Sequence, residues 1–303
     1  MNVLSLFDGM SCGRIALEKA GVKVNNYFSS EIKEHAIEVA NYNYQEDEKN
    51  RLGDITEIDG FNLPKIDLLI GGSPCQDFSV ANKERLGVEG IKSGLFYEFV
   101  RLLKETKPKY FLLENVRMKK EHQDIISKEL GCEPIIINSK EIAPQLRHRL
   151  YWTNIPNITN IVPKDTFLNE VLDNGWADRK KARALLESDS RPLTTPVKMC
   201  HRYFNTGFTT LIFKSKEHYT ELKKHFDQNF KGKKAKEIDV LIPSMDLSVY
   251  NGVRYMNKKE RERCQTVPEG YTEILSENDA ACLLGDGWTV DVIAHILSFM
   301  PKE

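Results

Sequence analysis

Paired cysteines are missing from this sequence. Its six cysteines, Cys12, Cys75, Cys132, Cys200, Cys264 and Cys282, stand singly, with no CxxC pair and no cysteine–histidine cluster at zinc spacing. A disulfide framework and a structural metal are therefore not expected. The opening MNVLSLFDGM has neither the basic residues nor the apolar run of a secretory signal, and no stretch reads as the ~18 apolar residues of a membrane span. The expectation is a cytoplasmic chain with no membrane partner. An excess of charge is missing too: 43 basic and 44 acidic side chains leave a net charge of -1. Only residues 154–253 lean basic, with 16 Lys and Arg against 12 Asp and Glu. Taken alone, a solvated lysine-rich surface explains that lean better than a polyanion partner. Internal repeats and low-complexity segments are absent as well.

What is present is an ordinary globular composition, 41% hydrophobic and 29% charged over 303 residues, long enough to bury a substantial core. The first half alternates β-like runs (Val3–Phe7, Asn26–Ser30, Ile66–Ile70, Tyr110–Leu113, Pro134–Asn138, Leu150–Thr153) with helical periodicity (Arg14–Ala20, Lys33–Tyr42, Leu95–Glu105, Lys119–Leu130). That rhythm predicts a doubly wound, Rossmann-like α/β sheet. It stops after Pro156. The stretch to about Tyr250 mixes basic, aromatic and β-branched residues without clear alternation, and reads as a smaller second domain. A helical pattern returns over Asp279–Met300, interrupted at Gly285-Asp286-Gly287-Trp288, and is expected to pack on the first domain. The predicted division is 1–156 with 254–303, against 157–253.

The first strand runs into Asp8-Gly9-Met10-Ser11-Cys12-Gly13 and a helix, so Gly9 and Gly13 stand where a backbone turns tightly at the carboxyl edge of a sheet. A plain structural turn accounts for two glycines equally well. If a nucleotide-like ligand binds there, Asp8 would repel a pyrophosphate but would suit a cofactor carrying a sulfonium and an ammonium group, which favours S-adenosylmethionine over NAD. Glu31, 18 residues beyond Gly13, stands where an acid accepts hydrogen bonds from ribose hydroxyls, and Asp54 is placed to meet an adenine amino group. Either acid alone is more often a helix cap or a surface charge.

The strand over Ile66–Ile70 leads through Gly71-Gly72 to Ser73-Pro74-Cys75-Gln76, which puts a cysteine at the same edge. A lone cysteine is usually a small buried hydrophobe. One held by two glycines and a proline at a strand end is a candidate nucleophile. The polar segment Asn82–Ser93, with Gly87 and Gly90, is either a closing loop or ordinary surface. The strand over Tyr110–Leu113 delivers Glu114-Asn115-Val116, and an acid there can protonate or bind a ring nitrogen during attack. Arg147 and Arg149 share a strand face and could reach one substrate carbonyl or phosphate, if they are not simply solvated.

Taken together, Phe-Asp-Gly, Gly-Ser-Pro-Cys-Gln, Glu-Asn-Val and Gln-x-Arg-x-Arg, followed by Arg254-Tyr255-Met256, Glu260-Arg261, Gln265, Pro268 and Tyr271, resemble in kind and order the DNA (cytosine-5)-methyltransferases. The resemblance spans nearly the whole chain except about residues 157–248. In motif detail it is closest to animal de novo methyltransferase catalytic domains, in size to bacterial or phage enzymes. It implies that Cys75 adds to C6 of a flipped-out cytosine, Glu114 holds the N3 edge and exocyclic amine, and Arg149, supported by Arg147, binds O2. It also implies that Phe7, Asp8, Glu31, Asp54, Ile55, Pro74, Leu95 and Trp288 line the S-adenosylmethionine site and that no metal is needed. The implied partner is double-stranded DNA, with room for a cognate restriction endonuclease and no indication of oligomeric state.

Residues 157–250 then become a target-recognition region, with Arg202, Lys214, Lys216, Lys223, Lys224 and the Lys231–Lys236 cluster set among Tyr203, Phe204 and Phe208. Asp286 stands where most bacterial members have Asn, and Ser73 where many have Phe. Both departures bear on the cofactor contacts. The alternatives are a tRNA cytosine methyltransferase and an inactive regulatory module. A Rossmann oxidoreductase would want a third glycine and no Asp8.

Overall fold

Short aliphatic runs buried along their whole length make the sheet. In the computed structural model, which describes residues 1–74, 94–187, 195–207 and 209–301, the strands are β1 (Asn2–Leu6), β2 (Asn26–Ser30), β3 (Leu68–Gly71), β4 (Tyr110–Val116), β5 (Ile135–Asn138) and β6 (His148–Thr153). They lie in the order β2-β1-β3-β4-β6-β5. All four residues of β3 and six of the seven in β4 are buried, the near-continuous hydrophobic pattern of strands covered on both faces. At the edge, β5 leaves Ile136 62% exposed.

The first four strands in this order are parallel, but β6 runs antiparallel to both neighbours, β4 and β5. This departs from the all-parallel rhythm of the sequence, for a physical reason. Only residues 139–147 separate β5 from β6, too few for the dozen or more residues of a parallel crossover.

Between the strands lie α1 (Cys12–Lys19), α2 (Glu34–Asn43), α3 (Gly94–Thr106) and α4 (Lys120–Leu130), each within two residues of its expected bounds. The α3 helix turns Phe96, Phe99 and Val100 to one side, where they join Leu4, Leu6, Leu69, Leu113 and Trp152 in the main core. The α4 helix stops at Gly131, whose φ of 71° is the left-handed cap conformation.

Packing divides the described chain into two compact units. The first comprises Met1–Ile142, Arg147–Pro163 and Gly287–Glu303, and holds the sheet. The second comprises Ala143–Leu146 and Lys164–Asp286, with helices α5 (Pro196–Thr206), α6 (Lys216–Asn229), α7 (Ala235–Leu241), α8 (Lys258–Gln265) and α9 (Glu277–Asp286). Residues 254–286, expected with the sheet, thus pack with the second unit. Arg254 holds Glu260 through two 2.7 Å contacts, Arg263 meets Asp173 at 2.6 Å, and Gln145 donates to the Cys264 carbonyl at 2.8 Å. The helix α10 (Val290–Leu297) belongs to the first unit and packs on α1, with Lys19 and Asp291 2.7 Å apart.

The second unit has its own core, and aromatics build it: Tyr203, Phe213, Phe226, Phe230 and Tyr250 are buried, and Phe204 packs against them. Tyr203 and Phe204, expected among exposed lysines, are therefore core residues, while Phe208 lies outside the described residues. Lys214, Lys216, Lys224, Lys231, Lys234 and Lys236 are exposed. One segment, Glu277–Leu297, is long and apolar enough to cross a membrane, with a mean hydropathy of 1.3, which the sequence reading did not expect. In the fold it is two helices, α9 and α10, broken at residues 287–289 and 67% buried, as core helices are.

Candidate active site

The order of the sheet reverses at β1, which has β2 on one side and β3 on the other. In open α/β sheets, ligands bind beyond the carboxyl ends of the strands at such a switch point. Register places Leu6 beside Gly71 and Gly71 beside Leu113. Phe7-Asp8-Gly9 and Gly72-Ser73-Pro74, which follow β1 and β3, and Glu114-Asn115, among the last residues of β4, are therefore delivered to one edge.

The turn after β1 is conformationally demanding. Phe7, Gly9 and Ser11 have φ of 55°, 57° and 61°, so three of five consecutive residues are left-handed and two of them carry a Cβ. Phe7 is half-buried against the core. Asp8 turns inward: its carboxylate accepts from Ser5 Oγ, Ser11 Oγ and Tyr27 Oη, each at 2.6 Å, and lies 3.2 Å from Arg51 Nη1. Burial raises its pKa, against the lowering effect of these partners. Glu31, at the end of β2, accepts the Gly9 N–H at 2.8 Å through Oε2, and the N–H groups of Ile32 and Lys33 through Oε1. A Cβ built on Gly9 would meet nothing within 4 Å, so the turn borders open space.

Beside this turn stands Trp288. A Cβ on Gly13 would lie 2.4 Å from Ile70 Cδ1 and 3.5 Å from Trp288 Cζ3. A Cβ on Gly72 would lie 2.9 Å from Trp288 Nε1 and 3.2 Å from Glu114 Oε2. Both glycines are thus points of close packing that leave no room for a Cβ, and between them they bring Trp288 and Glu114 to the same edge. Asp54 caps its own turn, accepting from Thr56 N and Oγ1 at 2.9 Å, and those two bonds hold its carboxyl below the usual carboxylate range. Ile55 is buried, while Pro74 and Leu95 are half-buried.

Glu114 and Arg149 come together on adjacent antiparallel strands, with Arg149 Nε 2.8 Å from Glu114 Oε1 and each side chain at least 85% buried. The pair leaves Oε2 of Glu114 facing Gly72, where the chain enters Ser73-Pro74. Asn115 is buried and donates to Ser73 Oγ at 3.1 Å, pinning that entry. Arg147 has a partner on another segment. It lies just before β6, 4% exposed, and donates Nη2 to the Gly287 carbonyl at 2.9 Å, which fixes the residue preceding Trp288. Cys75 and the segment Asn82–Ser93 lie outside the described residues.

Several contributors escaped the sequence reading. Ser5, Tyr27 and Arg51 around Asp8 belong to no local pattern, and Ser11 lies in the glycine turn without a role of its own there. Asn115 lies within Glu-Asn-Val, but its tie to Ser73 is not legible from the motif. The Arg254–Glu260 pair and the fully buried Glu262, which accepts from Gly270, Thr272 N and Thr272 Oγ1, give the late motif a scaffolding role within the second unit.

Comparison with known proteins bears on the family and the fold. The sequence model of the C-5 cytosine-specific DNA methylase family matches residues 1–302. The orphan methyltransferase M.SPRI of Bacillus phage SPR is 31% identical over 241 residues, 76% of this chain and 52% of that protein. The type II methyltransferase M.NgoBV of Neisseria gonorrhoeae is 35% identical over 57% of this chain and 46% of its own length. The chain thus spans about half the length of these curated relatives. Among solved structures, the Entamoeba histolytica methyltransferase EhMeth superposes with a TM-score of 0.72 at 17% identity, covering 99% of this chain and 97% of that one. The S. pombe Dnmt2 methyltransferase gives 0.66 at 16% identity, with 98% and 97% covered. These likenesses show a shared Rossmann-like methyltransferase fold. With the family's sequence model matching residues 1–302, the chain belongs to the C-5 cytosine-specific DNA methylase family.

Proposed function

We propose that this protein transfers a methyl group from S-adenosylmethionine to C5 of a cytosine flipped out of double-stranded DNA, with Cys75 as the covalent nucleophile. The observation that carries the reading is the buried Glu114–Arg149 pair beside the chain entry to Cys75. The turn fits the cofactor: Gly9 borders open space, Gly13 and Gly72 let Trp288 pack close to the sheet edge, and Glu31 and Asp54 carry carboxylates for ribose hydroxyls and an adenine amine. When bound, S-adenosylmethionine supplies an electrophilic methyl group on a sulfonium.

Cytosine C5 is a poor nucleophile, and the protein groups correct this. The Cys75 thiolate forms a bond to C6, and the displaced π electrons make C5 enamine-like while charge gathers on N3 and O2. Glu114 Oε2 faces the side from which the base enters and holds N3 and the exocyclic amine. Arg149, oriented by its contact with Glu114, neutralises charge at O2. After C5 is alkylated, a base removes its proton, the C5–C6 double bond re-forms and the Cys75 thiolate leaves. Arg147 supports the site, in part by holding the Gly287 carbonyl beside Trp288.

The sheet-bearing part serves as catalytic and cofactor domain, and residues 157–253, with their exposed lysines, as the target-recognition region. The place of action is the cytoplasm of a bacterial cell or phage-infected host, and the type II names among the relatives admit a cognate restriction endonuclease. The test is to offer unmethylated DNA or tRNA with labelled S-adenosylmethionine and sequence the product at single-base resolution. Label as 5-methylcytosine at one short DNA motif supports the reading. Label on tRNA alone moves the enzyme to RNA, and label on neither leaves a regulatory module.

A further inference from the structure

Arg51 lies outside every motif, yet it reaches under the turn that the cofactor reading depends on. Its backbone bridges to Ser29 of β2. Its Nη1 lies 3.2 Å from Asp8 Oδ2 and donates to Ser29 Oγ at 2.7 Å and Ser11 Oγ at 3.3 Å, while Nε donates to Asn41 Oδ1 at 3.0 Å. The Asp8 side chain is wholly buried and that of Arg51 is 13% exposed. Each carboxylate oxygen of Asp8 already has two donors, Ser5 and Tyr27 on Oδ1, Ser11 and Arg51 on Oδ2. The roughly four acceptor positions of a carboxylate are filled, so Asp8 has none to offer a ligand.

We infer that Asp8 and Arg51 form a buried ionic clasp that positions the cofactor-binding backbone without contacting the cofactor, an inference that rests on the S-adenosylmethionine reading of this turn. Three pieces of chain meet at the clasp. The first is the left-handed turn through Phe7, Gly9 and Ser11, a conformation that persists only where its surroundings over-determine it. The second is the end of β2, reached through Ser29. The third is the segment carrying Asp54 and Ile55, which Leu52 N ties to the Ser29 carbonyl at 2.8 Å and Ser30 Oγ ties to the Gly53 carbonyl at 2.7 Å. Arg51 is the cation common to all three, so the relative placement of Gly9, Glu31 and Asp54 follows from it. Asp8 is accordingly a positioning residue.

The test measures S-adenosylhomocysteine binding by calorimetry alongside the melting temperature of the cofactor-free protein, for Arg51→Met, Asp8→Asn/Arg51→Met and Arg14→Met. Arg14 is a matched control, since its ion pair with Asp47 at 3.1 Å is similarly buried but lies outside the turn. Arg51→Met leaves a buried carboxylate without its cation and is expected to melt lower, or not to fold. The double variant removes both charges, so its melting temperature should return towards wild type while binding stays at least ten-fold weaker. KM for S-adenosylmethionine should rise with it, and KM for DNA should stay unchanged. Binding by the double variant equal to wild type would overturn the inference, as would an equal loss in Arg14→Met. A wild-type protein that binds no S-adenosylhomocysteine would overturn the cofactor reading and the clasp together.

Discussion

Glu114 and Arg149 show how one contact does two jobs. The 2.8 Å Nε–Oε1 contact orients both side chains, and because the pair is largely buried, neither member can be removed without stranding the other. Glu114→Gln keeps the shape and changes the chemistry. It is expected to lower kcat by about 10²–10⁴-fold while S-adenosylhomocysteine affinity is held, a split that steady-state kinetics and calorimetry read directly. Gly72 is the residue most exposed to a simple steric test. A methyl there meets Trp288 Nε1 at 2.9 Å and Glu114 Oε2 at 3.2 Å, so Gly72→Ala should depress methyl transfer with little change in melting temperature. An activity assay showing Gly72→Ala at wild-type rate would contradict the placement of Glu114 and Trp288 around it.

At the scale of elements, the strands were the most legible part of the chain. Leu68-Leu69-Ile70 and Tyr110-Phe111-Leu112-Leu113 are apolar without interruption, as strands covered on both faces are, and their ends lead to the candidate site residues. The reversal of β6 was not legible from alternation, because direction is set by the length of the connection and not by the strand's composition. The aromatic core of the second unit was missed for another reason. Leu222, Phe226 and Phe230 recur every four residues, a helical stripe, but the lysines between them give the segment the composition of a surface. Arg51 and Asn41 act over distances that no local motif records. The junction of Asp173 with α8 gives an electrostatic prediction. Hydrogen bonds from Asn257 and then Arg263 hold the Asp173 carboxyl below its ordinary range. A depressed folded-state pKa contributes stability that is present above the unfolded value and lost as pH falls through the folded one. The melting temperature of wild type should therefore fall faster than that of Asp173→Asn below the ordinary carboxylate range. Parallel curves would remove Asp173 from the account.

At the scale of the whole molecule, a net charge of -1 conceals an uneven distribution, and the exposed lysines at 231, 234 and 236 gather at one end of α7. If these residues meet DNA phosphates, binding should weaken as salt rises, and replacing all three with alanine should flatten the dependence of log K on log salt by about one unit for each lysine that had neutralised a phosphate. A slope unchanged by the triple replacement would place the DNA elsewhere. The central claim, that this edge of the sheet attacks cytosine through Cys75, has a more direct test. In DNA carrying 5-fluorocytosine at the target base, C5 has no proton to lose after alkylation, so the adduct cannot resolve. With S-adenosylmethionine present, wild-type protein should form a protein–DNA species that survives denaturation, and Cys75→Ala should form none while still binding S-adenosylhomocysteine. A trapped species of equal yield from Cys75→Ala, or none from an active wild type, would contradict the account.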